Sequence, residues 1–274
     1  MPAINTNAAA NAAVRYLNLN SAQETSSLSK LSSGSRITSA SDDAAGLAIS
    51  TRISSDVTTL QQAATNASQA TSILQTADGG ASNISDILAR MKSLASESAS
   101  GTTTDSSRAY INSEFSQLSS EIDSIASGTR YSNQSLLDGT SVFASGVSVL
   151  VGSSSTDTIT VTLSSLKSAS LGVSTLDVTT QTTANAALTA LDTAINTVSA
   201  ARASIGAQES RFNFSSDSIS TQTQNLQSAN SAIKDVDIAA EQAKLSSAEV
   251  KTQAAVSAEA AANQMPQYLL KLLG

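Results

Sequence analysis

The side chains that ordinarily perform chemistry are scarce in this chain. It has neither histidine nor cysteine, which removes the usual general base, the most reactive nucleophile and the commonest transition-metal ligands. Without histidine no H-E-x-x-H zinc site can exist, so a zinc protease is excluded. What remains is carboxylate. Asp42-Asp43 and Asp235-Val-Asp237 bring acidic groups close enough to suggest calcium, yet neither run has the ligand number or loop spacing that calcium needs. Both stand just before segments of helical periodicity, where an acidic side chain accepts the unpaired N–H groups of a helix start. The expectation is no catalytic residue, no metal and no cofactor.

The elements around these residues are long helices. Stepping by seven from Leu191, every stop is apolar: Val198, Ile205, Phe212, Ile219, Leu226 and Ile233. Seven residues are two helical turns, so the stripe lies on one helix about 75 Å long. Its companion positions start apolar at Leu188 and Ile195 and turn polar at Arg202, Glu209, Ser216, Thr223 and Asn230. A stripe that narrow needs neighbouring helices to cover it. Two candidates precede it. The first, capped by Ser41 or Asp42, places Ile53, Val57, Leu60, Ala64, Ala67, Thr71 and Leu74 at coiled-coil spacing, slips register at Gly79-Gly80, and resumes at Ile84, Ile87, Met91 and Leu94. The second carries Ile111, Phe115, Leu118, Ile122 and Ile125 and ends near Gly128. Phe115 and Phe212 then belong to a core rather than to a ligand cage.

Between Asp138 and Ala184 the period changes to two. Val147, Val149 and Val151, a Gly-Ser-Ser-Ser-Thr-Asp turn, and Ile159, Val161 and Leu163 read as a β-hairpin, with a third short strand expected at Val173–Val178. The chain's two ends are weaker. Val14, Leu17, Leu28 and Leu31 make a sparse stripe that cannot hold an isolated helix and requires packing to form. Beyond Asp237 an Ala/Gln/Ser-rich helix carries Ile238 and Leu245, is expected to break at Met265-Pro266, and leaves Leu269, Leu270, Leu272 and Leu273 in search of a partner.

The fold class is therefore mainly α: a long antiparallel helical bundle and a coiled coil formed by the N- and C-terminal regions, with a small β-hairpin region in the middle. A net charge of −7 with 15 scattered basic residues argues against nucleic acid. No apolar run approaches a membrane span, and Met1–Asn7 has no signal-peptide pattern.

Four stretches resemble the bacterial flagellins: Ile4-Asn-Thr-Asn7; Leu31-Ser-Ser-Gly-Ser-Arg-Ile-Thr-Ser-Ala-Ser-Asp-Asp-Ala-Ala-Gly-Leu-Ala-Ile49; Ala200-Ala-Arg-Ala-Ser-Ile-Gly-Ala-Gln-Glu-Ser-Arg-Phe212; and Ala261-Ala-Asn-Gln-Met-Pro-Gln267. They fall in the family's order. The resemblance implies a short form without large outer domains. Residues 1–43 and 235–274 would supply a filament-core coiled coil, 44–137 and 184–234 a helical bundle, and 138–183 the variable region. It also implies a homopolymer: a helical filament for swimming, extracellular, exported through a type III channel without a cleavable signal. The partners implied are an export chaperone and hook-associated and cap proteins. Val14, Leu17, Leu28, Leu31, Ile238, Leu245, Leu269, Leu270, Leu272 and Leu273 become the self-assembly seam. The family's toll-like receptor patch is matched at Arg90, Leu94 and Glu114, residues that equally suit interhelical or intersubunit contacts. Serine and threonine between Ser141 and Thr183 serve either O-glycosylation or a plain polar surface. The alternative from a different class is a cytoplasmic coiled-coil signalling rod of chemoreceptor type, which would stay a soluble dimer or small array.

Overall fold

Helices of this composition persist only where their small apolar stripes are covered, and the arrangement follows from how that cover is provided. The computed structural model describes residues 7–273, the side chains of 266 and 268–273 excepted. Within it the elements are α1 (Ala8–Ser33), α2 (Ala44–Ala99), α3 (Asp105–Gly128), β1 (Arg130–Tyr131), β2 (Gln134–Ser135), α4 (Val142–Ser145), β3 (Val147–Leu150), β4 (Thr158–Val161), α5 (Gln181–Lys234) and α6 (Ile238–Leu273). The chain forms two compact units. One comprises Asp56–Gln224, the other the segments before and after it. The division falls inside α2 and α5, whereas the boundaries expected at 43/44 and 234/235 coincide with helix ends.

In the Asp56–Gln224 unit, α2 buries Leu60, Ala67, Leu74, Ala81, Leu88 and Ala95 at intervals of seven, with Ala63, Ala70, Ala77, Ile84, Met91 and Ser98 between them. The register expected to slip at Gly79-Gly80 does not slip. The helix is unbroken, and the seam crosses the glycine pair on Ala77 and Ala81, whose single methyls give a faint apolar signal. Gly80 is required by close approach: a Cβ there would collide with the Thr129 side chain and lie 2.9 Å from Leu137 Cδ1. The chain leaving α3 closes onto α2 at that point. Phe115 and Ile122 of α3 and Leu191, Val198, Ile205 and Phe212 of α5 complete the core. On α5, Ala184, Ala187 and Ala194 are buried too, a stripe of single methyls that the larger Leu188 and Ile195 beside them concealed.

The β region departs from expectation in two places. A tight hairpin, β1–β2, turns on Ser132 (φ 47°) and Asn133 (φ 67°), the left-handed pair a two-residue turn demands. It went unforeseen because no alternating apolar run flanks it. The β3–β4 hairpin forms as expected, with Val147 opposite Val161 and Val149 opposite Ile159. Gln208 of α5 holds its end by accepting from Thr162 N at 2.9 Å and donating to Thr162 O at 3.1 Å, and Asn66 of α2 donates to Leu150 O at 3.2 Å. The third strand expected at Val173–Val178 is absent from the described residues. Both valines are buried, but Val173 N donates to Ser168 O and Val178 N to Asn112 Oδ1. The period-two apolarity there records burial in an irregular segment whose backbone groups are satisfied without a ladder.

Candidate functional site

The other unit has no thick core; it has a seam. Asn7 caps α1 by accepting from Ala10 N at 3.0 Å, and Gly34 ends it in the left-handed conformation at φ 66°. Asp237 caps α6 by accepting from Ala240 N at 3.0 Å. The two helices are antiparallel: Asn7 reaches Ala262, Ser27 reaches Glu241, and Ser35 bridges to Asp235. Facing α6 are Ala13, Leu17, Asn20, Glu24, Ser27 and Leu31; facing α1 are Glu241, Leu245, Ala248, Thr252, Ala255, Glu259 and Ala262. Every step is three or four residues, the spacing of a coiled coil. Only Leu17, Leu31 and Leu245 are large and apolar. Pairing within the chain is therefore thin.

The assembly residues inferred from sequence divide accordingly. Leu17 and Leu31 are half-buried and Leu245 is buried, all in the seam. Val14 and Leu28 share a position flanking it and are exposed, because a two-helix contact covers only the facing stripe of each helix. Ile238 is exposed on the first turn of α6. Leu269, Leu270, Leu272 and Leu273 lie outside the described side chains. In this unit sequence reasoning missed further exposed large apolar side chains: Tyr16, Leu19, Ile49, Val250, Val256 and Met265. An open groove of about 580 Å³ runs beside the seam, lined by Asn20, Gln23, Ala243, Lys244, Ser247 and Lys251.

Of the three glutamates facing the seam, Glu24 and Glu259 are half-buried and Glu241 is buried. Glu241, 4% exposed, accepts from Lys244 Nζ at 2.9 Å and from fully buried Ser27 Oγ at 2.8 Å. These bonds, the lysine's first, hold its carboxyl below the ordinary glutamate value of 4.5. A depressed folded pKa favours the ionised form in the folded state. The associated stability is thus present above pH 4.5 and lost as pH falls through the folded value. Pairing of α1 with α6 is expected to loosen on acidification below about pH 4.5, and Glu241→Gln to flatten that dependence; amide exchange across pH reads both.

The acidic pairs act as caps and turn anchors. Asp43, rather than Ser41 or Asp42, caps α2 by accepting from Gly46 N at 2.8 Å. Asp42 instead ties the preceding turn, accepting from Thr38 N, Thr38 Oγ1 and Ser39 N at 2.9–3.0 Å, which lowers its pKa to about 2. Among the described residues no group of three or more acidic side chains is placed to hold a metal ion. Arg90 and Glu114 meet across α2 and α3 as an exposed ion pair, two guanidinium nitrogens donating to Oε1 at 2.7 and 2.9 Å. Leu94 does not share their surface: at 2% exposed it belongs to the core, since it lies on the buried side of α2. No helix among the described residues is long and apolar enough to cross a membrane.

Residues 4–142 match the model of the bacterial flagellin N-terminal helical region, and residues 188–273 that of the C-terminal helical region. The chain belongs to the flagellin family. It is 35% identical over 283 residues to a flagellin of Listeria monocytogenes, covering 98% of this chain and 99% of that one. A flagellin of Halalkalibacterium halodurans is 36% identical over 272 residues with the same coverage. The crystal structure of Bacillus cereus flagellin superposes with a TM-score of 0.52 at 32% identity, covering 61% of this chain and 94% of that one. The mainly α fold read from the sequence agrees with that likeness, and the signalling-rod alternative gives way to the family assignment. As a flagellin this is a short form, and it covers nearly all of the Listeria and Halalkalibacterium relatives.

Proposed function

We propose that this chain is a subunit of the bacterial flagellar filament and polymerises through the surfaces its paired terminal helices leave uncovered. The observation that supports this most is the distribution of exposed large apolar residues: among the described residues, Val14, Tyr16, Leu19, Leu28, Ile49, Ile238, Val250, Val256 and Met265 belong to the terminal unit, against Tyr110, Val142 and Phe214 in the larger one. A seam with three large apolar side chains, and with Thr252 Oγ1 buried in it without a hydrogen-bond partner, is a weak fold by itself. Copies packed side by side would cover those faces and supply most of the stability. Concentrated purified protein, seeded and viewed by electron microscopy, is expected to grow long filaments; a soluble dimer at every concentration would refute the reading.

The same reading places the subunit outside the cell, exported without a cleavable signal. An export chaperone would shield the exposed terminal faces before assembly, and hook-associated and cap proteins would meet the filament's ends. For Arg90 and Glu114 the interhelical ion pair is the reading the geometry favours. Of the three residues matched to the toll-like receptor patch only these two are exposed, and a receptor reporter comparing the parent chain with Arg90→Ala discriminates the two roles.

Small contacts between alanine-lined faces can slide between discrete packings. Ala243, on the groove wall, and Ala254 are both exposed and outside the seam. Ala243→Leu or Ala254→Leu should leave the monomer's melting unchanged and alter the filament's helical shape and switching, as seen by dark-field microscopy of filaments.

A further inference from the structure

A seam built largely of alanine and small polar residues repeats itself every seven positions. Displacing α1 along α6 by one heptad would re-form much the same apolar contact, so something else must fix the register. At one end of the pair the backbone does so: Ser35 bridges to Asp235, Arg36 N donates to Lys234 O at 2.6 Å and Val236 N to Gly34 O at 3.1 Å. Along the seam beyond that end two side-chain contacts are available, about three heptads apart. One is Ser27 with Glu241. The other involves Asn7, whose side chain does two things at once: its Oδ1 accepts from Ala10 N at 3.0 Å, and its Nδ2 donates to Ala262 O at 2.8 Å.

Ala262 O is no ordinary acceptor. Inside a helix each carbonyl accepts from the N–H four residues on. Four residues on from Ala262 is Pro266, whose ring nitrogen has no hydrogen. The break expected at Met265-Pro266 does not occur, since α6 continues to Leu273. The helix persists through its only proline with one interior carbonyl deprived of its partner, and that carbonyl is the one Asn7 reaches. An unpaired carbonyl in a packed seam costs about as much as a lost hydrogen bond, which makes it a unique address on an otherwise repetitive surface.

We infer that Pro266 and Asn7 form a register latch: the proline exposes the Ala262 carbonyl and the Asn7 amide fills it, fixing the axial alignment of the two terminal helices at the end far from the Ser35–Asp235 bridge. Sliding by a heptad in either direction leaves the carbonyl unfilled and carries Ser27 away from Glu241. The latch sets how far each end projects beyond its partner, and hence what a neighbouring copy meets.

The chain's lack of cysteine permits a clean test on the full-length protein. Ala13→Cys paired with Ala255→Cys reports the observed register, and Ala13→Cys paired with Ala248→Cys reports a one-heptad slip. Only the monomer-sized product is scored, which separates pairing within a chain from pairing between copies. Asn7→Asp keeps the cap on α1, because aspartate accepts from Ala10 N equally well, but cannot donate to Ala262. Pro266→Ala restores an N–H to that carbonyl and raises local helix propensity. Each alone is expected to lower the ratio of in-register to slipped product about tenfold, the worth of one such bond, and the double variant to lower it no further. A merely stabilising role would make Pro266→Ala improve the ratio. That outcome overturns the latch, as do an unchanged ratio in Asn7→Asp, effects that multiply in the double variant, or a parent chain with no preference for the Ala255 partner.

Discussion

Replacing Leu19 and Val250 together by aspartate will stop filament growth while leaving the chain folded. Both side chains point away from the seam, with 56% and 69% of their surface exposed. Neither contributes to packing within the chain, so the cost to the monomer should stay within about 0.5 kcal/mol, the ordinary range for surface substitutions. In a filament the same residues would be covered. Losing the burial of two such side chains forfeits about 3–6 kcal/mol, and placing carboxylates there adds a desolvation cost. At about 1.4 kcal/mol per tenfold, the critical concentration should rise by a factor on the order of a thousand or more. Sedimentation at graded concentration reads this, with thermal melting of the soluble chain as the control. A double variant that sediments like the parent would mean that these faces are not the polymer contact.

The elements were legible where burial acts on one dominant stripe. Leu191, Val198, Ile205, Phe212 and Ile219 are all buried, as their spacing of seven required. Phe115 and Phe212 are both fully buried. Legibility failed where the seam is carried by methyl groups. Ala77 and Ala81 continue the α2 register through the glycine pair, yet alanine is apolar enough to bury and too common in this chain to mark a stripe. At the termini, Val14 and Leu17 looked equivalent in sequence. What separates them is the number of neighbours: a single partner helix covers Leu17 and leaves Val14 exposed. Asn7 and Pro266 stand 259 positions apart, and nothing local relates them. Only the antiparallel register brings the amide to the carbonyl that the proline freed.

A second class of residue that spacing cannot reveal is the buried ion serving backbone, and Arg108 is the instance with the largest expected effect. It lies on the first turn of α3, 8% exposed. Its Nε donates to Ser98 O at 2.8 Å and its Nη2 to Ser100 O at 2.9 Å, while Nη1 reaches Asp105 Oδ1 at 3.0 Å. The last carbonyls of a helix have no partner within it, and those at the end of α2 turn into protein rather than water. The guanidinium fork satisfies one of them, Ser98 O, together with Ser100 O just past the helix end, and its positive charge suits the negative end of the helix. Ser98 is a junction in its own right, since its hydroxyl donates to Val178 O, while Asn112 on α3 accepts from Val178 N. Arg108 therefore holds the end of α2, the start of α3 and the irregular segment before α5 in one arrangement. Arg108→Ala leaves Ser98 O buried and unpaired, while Ser100 O, half-buried, keeps Thr103 N at 3.3 Å; at about 1.5–3 kcal/mol for a charge-assisted bond, with the second loss partly offset, the cost is about 2–4 kcal/mol in all. For a chain of this size that lowers the melting temperature by about 10 °C. Arg108→Lys, a point charge without the fork, should recover less than half of the loss. Amide exchange should accelerate first in the last turn of α2 and at Val178. Uniform acceleration across the Asp56–Gln224 unit with no local maximum there would instead assign Arg108 a diffuse electrostatic role.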